Sequence, residues 1–170
     1  MLEEAISNLQ SGGSFLEIGF GRGGNISMAN QKFDLVVGTD ILPLKNLDVE
    51  KSIRSEIILA DKAACFRDSV FDIVAFNPPY LPSHVIEDRA TDGGHEGIEI
   101  PLEFLVSALK VLKNHGRILV LLSSLGNVER FKRFCAQRLL IVDKVAERRF
   151  FFETLFVYLI SRKNDSSACA

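Results

Sequence analysis

The sequence is poor in cysteine. Cys65, Cys135 and Cys169 are odd in number and widely scattered. That pattern supports neither a disulfide framework nor a thiolate metal site, and it points to a reducing, cytoplasmic setting. Cys65 and Cys135 are expected as small core residues. No apolar run reaches the length of a membrane span. Met1-Leu2-Glu3-Glu4-Ala5 lacks the basic and apolar regions of a secretory signal. Charge of one sign is also lacking: 20 basic and 22 acidic side chains leave a net charge of −2, which argues against a general nucleic-acid binder. The balance is uneven, at −6 over residues 1–125 and +4 over 126–170. The basic part, with Arg130, Lys132, Arg133, Arg138, Arg148 and Arg149, reads first as a solvated helix face and a turn.

What is present is 47% apolar residue content in 170 residues, enough for one domain with a substantial core. That domain is expected over 1–163, with 164–170 as a disordered tail. Strand patterns at Ser14–Phe20, Asp34–Thr39, Glu56–Ala60, Phe71–Phe76 and Arg117–Ser123 alternate with helical patterns at Leu2–Leu9, Asn25–Gln31, Leu44–Ile53, Ile100–Lys113 and Val128–Gln137. Leu102, Leu105, Val106, Leu109 and Leu112 form the apolar stripe of the fourth helix, which Asn114-His115-Gly116 is expected to cap. Leu139–Ala146 and Phe151–Ile160 are joined too closely for a crossover, so they should form an antiparallel hairpin. Phe151, Phe152 and Phe156 are expected to pack in the sheet. The fold class that follows is α/β: a Rossmann-like, seven-stranded mixed sheet, mostly parallel, with helices on both faces.

The most informative stretch is Asn77-Pro78-Pro79-Tyr80, directly after the apolar run Phe71–Phe76. Two prolines end ladder donation and fix two backbone angles. They hold an amide side chain and an aromatic ring in a rigid hook at a strand's carboxyl end, where open α/β sheets bind ligands. An Asn beside a proline-locked carbonyl offers two acceptors for one planar NH2 group. A strand stop followed by a turn is the simpler alternative. The turn Glu17-Ile18-Gly19-Phe20-Gly21-Arg22-Gly23-Gly24 closes a strand and opens a helix, and its glycines let a ligand approach the backbone. Glu17 could attract a cationic amino-acid portion. The glycine spacing alone leaves a dinucleotide open. Asp40 ends the second strand, where an acid can take both hydroxyls of an adenosine ribose. Asp61 ends the third, placed either to accept from an adenine amino group or to cap a short helix.

With these residues in view, the chain resembles a class I S-adenosylmethionine-dependent methyltransferase. More narrowly it resembles the HemK family of glutamine methyltransferases, in its short archaeal and eukaryotic branch. The pieces that carry the resemblance are Leu16–Gly23, Thr39-Asp40, Ala60-Asp61, Phe71–Pro82 and Asp92-Gly93-Gly94-His95-Glu96-Gly97. The resemblance implies S-adenosylmethionine as cofactor, bound through Glu17, Gly19, Phe20, Gly21, Gly23, Asp40, Ile41, Asp61, Lys62 and Asn77. It implies Asn77, Pro78, Pro79 and Tyr80 as the catalytic group, and no metal. Family members methylate the glutamine amide of a Gly-Gly-Gln motif in class I peptide-release factors. The same hook occurs in adenine-N6 methyltransferases, so methylation of RNA or DNA adenine is the alternative. A non-catalytic, cofactor-binding subunit of a heterodimer is a further one.

Three regional expectations complete the reading. The loop Ser83–Gly97 is polar and glycine-rich, which suits a mobile lid over the target. Its His84 and His95 are expected to be solvated. The third strand, Glu56-Ile57-Ile58-Leu59-Ala60, should lie at a sheet edge unguarded by proline or lysine. Relatives in this branch pair with a small zinc-binding activator protein, which would cover such an edge by strand addition. No membrane partner is implied, and nucleic acid only indirectly.

Overall fold

The computed structural model describes residues 1–42, 55–83, 88 and 90–163. The elements are α1 (Leu2–Ser7), β1 (Ser14–Ile18), α2 (Gly24–Asn30), β2 (Leu35–Asp40), β3 (Ser55–Leu59), β4 (Phe71–Phe76), α3 (Glu99–Val111), β5 (Leu112–Ser123), α4 (Val128–Gln137), β6 (Leu140–Arg149) and β7 (Thr154–Arg162). The helix expected at Leu44–Ile53 and the tail Asn164–Ala170 lie outside the described residues. The seven strands form one sheet in the order β3-β2-β1-β4-β5-β7-β6. The first five are mutually parallel, and β7 runs antiparallel to both β5 and β6. The mixed α/β sheet is therefore the one expected.

Alternation along each strand divides the core. Leu16, Ile18, Val74, Phe76, Ile118, Val120 and Leu122 face α3 and α4, where Leu105, Ala108, Val111, Phe131 and Cys135 meet them. Phe15, Val36, Ile73, Ala75, Leu119 and Leu121 face the other way, toward Leu2 and Ile6 of α1 and Ile26 and Ala29 of α2. Both faces are buried, which is why the strands read as continuous apolar runs. Each fully buried aliphatic or Phe side chain is worth about 1.5–3 kcal/mol. Gly38 in β2 lets the layers close: a Cβ there would stand 3.0 Å from both Ile57 and Phe20 and 3.1 Å from Ile26.

Four local expectations are corrected. First, α3 stops at Val111 and passes directly into β5, so Asn114-His115-Gly116 is no helix cap. The register slips there, with Phe71 opposite Leu112 but Ile73 opposite Arg117. Gly116 is needed because a Cβ would press on the Asp72 carbonyl oxygen at 2.9 Å. The excursion also brings Lys113 Nζ to 2.8 Å from Asp72 Oδ2, an oxygen that accepts from Ser14 N and Ser14 Oγ as well. Second, Val106 is half exposed and the buried stripe of α3 runs through Pro101, Leu105, Ala108 and Val111. Third, Cys65 is exposed in the turn after β3, where Ala63 and Phe66 turn inward instead. Cys135 is a core residue, and burial pushes its thiol up to about 12. Fourth, β6 continues to Arg149 and the hairpin turns at 150–153. Phe151 and Phe152 therefore stand in solvent at 92% and 84% exposure, stacked edge to face on one another, while Phe156 packs on the core.

Candidate functional site

β1 and β4 lie side by side where the strand order reverses, with Ile18 opposite Phe76. Beyond them Ile18 pairs with Thr39, and Asp40 with Leu59. Register thus sets the glycine turn, Asp40, Asp61 and Asn77 at the carboxyl ends of four adjacent strands, at the sheet's topological switch point.

Gly19, Gly21 and Gly23 have φ of 70°, 53° and 81°, a left-handed region that glycine enters without cost. Gly23 is the N-cap of α2. Asp40 accepts from the Gly21 amide at 3.2 Å through Oδ2 and from the Leu42 amide at 3.0 Å through Oδ1. Each oxygen keeps a further lone pair for a hydroxyl. Ile41 is exposed next to it. The Phe20 ring is buried in the α1/α2 layer against Gly38, which leaves its backbone to border the turn. Phe104 of α3, which the sequence did not single out, lies within about 3.5 Å of the Cβ position of Gly19.

Glu17 sits on β1 with 1% exposure, facing α2. Its Oε1 accepts from Asn25 Nδ2 at 2.6 Å, and its buried Oε2 has no partner among the described residues. Burial, opposed by the Asn25 bond and reinforced by the carboxylates of Glu3 and Asp40, pushes Glu17 up to about 8. Glu3 lies close against Gly24 at the start of α2. Three carboxyl groups thus surround the glycine turn. A cation would relieve them, whereas the pyrophosphate of a dinucleotide would add to the repulsion.

Asp61 lies beyond β3 with its side chain 65% exposed, 3.1 Å from Lys62 Nζ. Lys62 also bridges to Glu103 at 3.1 Å and stands 5.8 Å over the Phe104 ring. Burial would lower Lys62, but the two carboxylates outweigh it and raise it. Its backbone is left-handed at φ 52°, which turns the ammonium back toward α3.

The hook after β4 has Asn77 exposed, Pro78 buried, and Pro79 and Tyr80 half-buried. No hydrogen bond from a described residue occupies the Asn77 carboxamide. A cavity of about 330 Å³ opens beside it, lined by Asn77, Pro78, Pro79, Tyr80, Leu81, Ala90, Thr91 and Glu153. The Tyr80 hydroxyl is raised above its ordinary value by burial and by the carboxylate of Glu153 beside it.

The expected mobile lid is not what its described part forms. Leu81 N donates to Thr91 O, Gly93 N to Leu81 O and Ser83 N to Gly94 O. A Cβ at Gly93 would stand 2.7 Å from Tyr80 Cα and 2.9 Å from Pro79 O. Glu96 and Glu99 both reach Arg130 of α4, at 2.6 and 2.8 Å. Residues 90–99 therefore back the hook as a fixed wall. His95 is exposed, and His84 lies outside the described residues. Much of the basic segment is likewise engaged locally, through Lys132 with Glu129, Arg149 and Lys144 with Glu147, and Arg138 on the Phe134 ring.

A solved Mtq2-Trm112 complex from E. cuniculi, responsible for methylation of the eRF1 translation termination factor, contains a chain that superposes with a TM-score of 0.75. The match covers 95% of this chain and 93% of that one at 22% identity. The chain has the class I methyltransferase fold. A ribosomal protein L11 methylase from Lactobacillus delbrueckii subsp. bulgaricus shares it at a TM-score of 0.65 and 15% identity, over 96% of this chain and 77% of that one. In sequence, 121 residues are 34% identical to a "Putative protein N5-glutamine methyltransferase" of Methanocaldococcus jannaschii, which bears out the resemblance to the HemK glutamine methyltransferases. That match takes in 65% of this chain, and the chain spans 61% of the length of the relative. No protein-family model matches the chain.

Besides Phe104, Asn25 and Glu153 escaped the sequence reading. Asn25 holds Glu17, and its one signal was a polar residue two positions into the helix after the glycine turn. Glu153 reaches the hook from the last hairpin, which no local pattern reveals.

Proposed function

We propose that the protein is an S-adenosylmethionine-dependent N-methyltransferase acting on the glutamine side-chain amide of a Gly-Gly-Gln motif in a class I peptide-release factor. The observation that carries this reading is the Asn77 carboxamide, unpartnered among the described residues, on a proline-locked turn opening into a cavity at the switch point. The relative named for glutamine N5 methylation supports the target class.

The residues present fit the cofactor, because the orphaned Glu17 Oε2 calls for a cation. Glu17 would hold the ammonium, Asp40 the ribose hydroxyls, Gly19, Gly21 and Gly23 would let the backbone approach, and Ile41, Asp61 and Lys62 would border the adenine. When bound, S-adenosylmethionine supplies a methyl group on a positively charged sulfur. A carboxamide nitrogen is a weak nucleophile because its lone pair is delocalised into the carbonyl. The Asn77 side-chain oxygen and the Pro78 carbonyl would each accept one N–H. That fixes the nitrogen, favours its pyramidal form and stabilises the positive charge that develops on it. Pro79 keeps the hook rigid and Tyr80 packs on the planar amide. No strong general base is required. Alignment of the two reacting groups supplies several kcal/mol of the remaining advantage.

Adenine is the second reading, since an exocyclic NH2 would satisfy the same acceptors. Against it stands the charge of the cavity: among its described lining residues the sole ionisable acid or base besides Tyr80 is the carboxylate of Glu153, which repels a phosphodiester. For a partner, β3 is the outer strand, with Leu59 66% exposed and Ile41 and Leu42 exposed beside it. A small zinc-binding activator adding a strand there would cover it, and the E. cuniculi complex supports a partner protein.

The test is mass spectrometry after incubation with labelled S-adenosylmethionine, with and without a candidate activator, on a release factor or on adenine-containing RNA. Label on the Gly-Gly-Gln peptide, lost in Asn77→Ala, is the expected result. Label in RNA instead overturns the glutamine reading. Cofactor binding with no turnover on either leaves a heterodimer subunit.

A further inference from the structure

Glu153 is the one residue of the cavity that comes from the last hairpin. It sits in the turn between β6 and β7, where the Phe150 amide donates to its carbonyl at 2.7 Å. Its side chain turns inward to line the cavity with Asn77, Pro78 and Tyr80. The Glu153 carboxylate lies close enough to the Tyr80 hydroxyl to disfavour its ionisation. Its Oε1 is buried and has no partner among the described residues. A buried carboxylate oxygen without a donor is destabilising, and such groups persist where a ligand satisfies them. Because Asn77 and Pro78 already answer the two N–H groups of the reactive amide, the donor for Oε1 must come from another part of the target.

We propose that Glu153 is a positioning residue of the target pocket, holding Tyr80 with one carboxylate oxygen and accepting a backbone N–H of the target peptide with the other. The inference rests on the peptide-amide reading of the hook and adds the contact that would set the peptide's register beside it. An extended glycine-rich segment suits this contact, since no side chain shields its amides. The same carboxylate disfavours a phosphodiester, so one residue both attracts the peptide and excludes nucleic acid.

Two measurements test it, one independent of catalysis. The chain has two tyrosines and no tryptophan, so in a Tyr158→Phe background the phenolate absorbance reports Tyr80 alone. Tyr80 should titrate above a free tyrosine, and Glu153→Gln should bring it back toward the free value. An unchanged titration overturns the contact. In steady-state kinetics on a Gly-Gly-Gln peptide, Glu153→Gln should raise KM about tenfold or more, with kcat within a few-fold and cofactor affinity unchanged. Glu153→Asp should restore part of the loss. A wild-type KM in Glu153→Gln overturns the role in the target pocket. A wild-type enzyme that methylates RNA adenine and no glutamine overturns the peptide contact together with the function it rests on, while the tyrosine titration still decides whether Glu153 holds Tyr80.

Discussion

Glu17→Gln should make the protein more stable and a worse binder of its cofactor. The Glu17 carboxyl is buried, holds one hydrogen bond from Asn25 and titrates near 8 in the folded chain, against 4.5 for an ordinary glutamate. A carboxyl raised by folding gives stability that is fully present below 4.5 and is lost as pH rises to about 8. At pH 7 the loss spans about 2.5 units, or ~3 kcal/mol at 1.36 kcal/mol per unit. Glutamine keeps an acceptor for Asn25 and never ionises. The variant should therefore match the wild type near pH 4.5 and exceed it by ~3 kcal/mol at pH 7, which is on the order of 6–12 °C in Tm for a chain of this size. Cofactor affinity should move the other way. Losing a charge-assisted bond worth about 1.5–3 kcal/mol weakens binding roughly 10- to 150-fold. Thermal unfolding by circular dichroism from pH 5 to 9 reads the first effect. Calorimetry of S-adenosylmethionine binding reads the second. It should also show nearly one more proton released by the wild type than by the variant at pH 7. A variant that is less stable than the wild type at pH 8, or one that binds the cofactor equally well, refutes the assignment of a strained carboxyl awaiting a cation.

Other perturbations follow from the same geometry. Gly93→Ala forces a methyl group into the Tyr80 backbone and should lower kcat at least 100-fold while the melting temperature falls by only a few degrees, as kinetics and thermal melts will show. Asp72→Asn removes the Lys113 ion pair at the far end of the sheet. Burial pushes Asp72 up, but Lys113 and the Ser14 donors outweigh it and hold it low. The wild type should thus lose stability as pH falls below about 3.8, whereas the variant should be ~1–2 kcal/mol weaker at neutral pH with unchanged cofactor affinity, measured by denaturant titration. Leu59→Lys on β3 should leave monomer stability within ~0.5 kcal/mol and abolish capture of an activator in a pull-down with the purified partner.

Much of the scaffold was legible because the strands are buried on both faces. Phe71–Phe76 and the parallel runs before it are mostly apolar, with single acids such as Asp72 and Glu17 among them, and the glycine turn and the prolines mark their ends. The site residues on β1 to β4 were legible for a related reason, since strand ends in a parallel sheet share one edge. What failed was decided by contacts distant in sequence. Asn114-His115-Gly116 has the composition of a helix cap, yet the chain is already paired with β4 there, and Gly116 serves a close approach to Asp72. Phe151 and Phe152 read as strand because phenylalanine favours strands, but the hairpin register spends them on its tip. Cys65 read as core on residue type alone, and a tight turn faced it outward. The loop Ser83–Gly97 read as mobile from its polar, glycine-rich makeup, whereas Gly93 lets its described part press against Tyr80. Glu153 carried no local mark at all, because its place depends on β7 inserting between β5 and β6.

That insertion makes β7 indispensable. β6 touches the rest of the sheet solely through β7, although it is synthesised first. A truncation that removes Thr154–Arg162 would strand Leu140–Arg149 with no hydrogen-bonded neighbour and leave β5 as a raw edge. Growing chains on the ribosome pass through that state, so the wall of the cavity bearing Glu153 is completed only after β5 and β6 have been made.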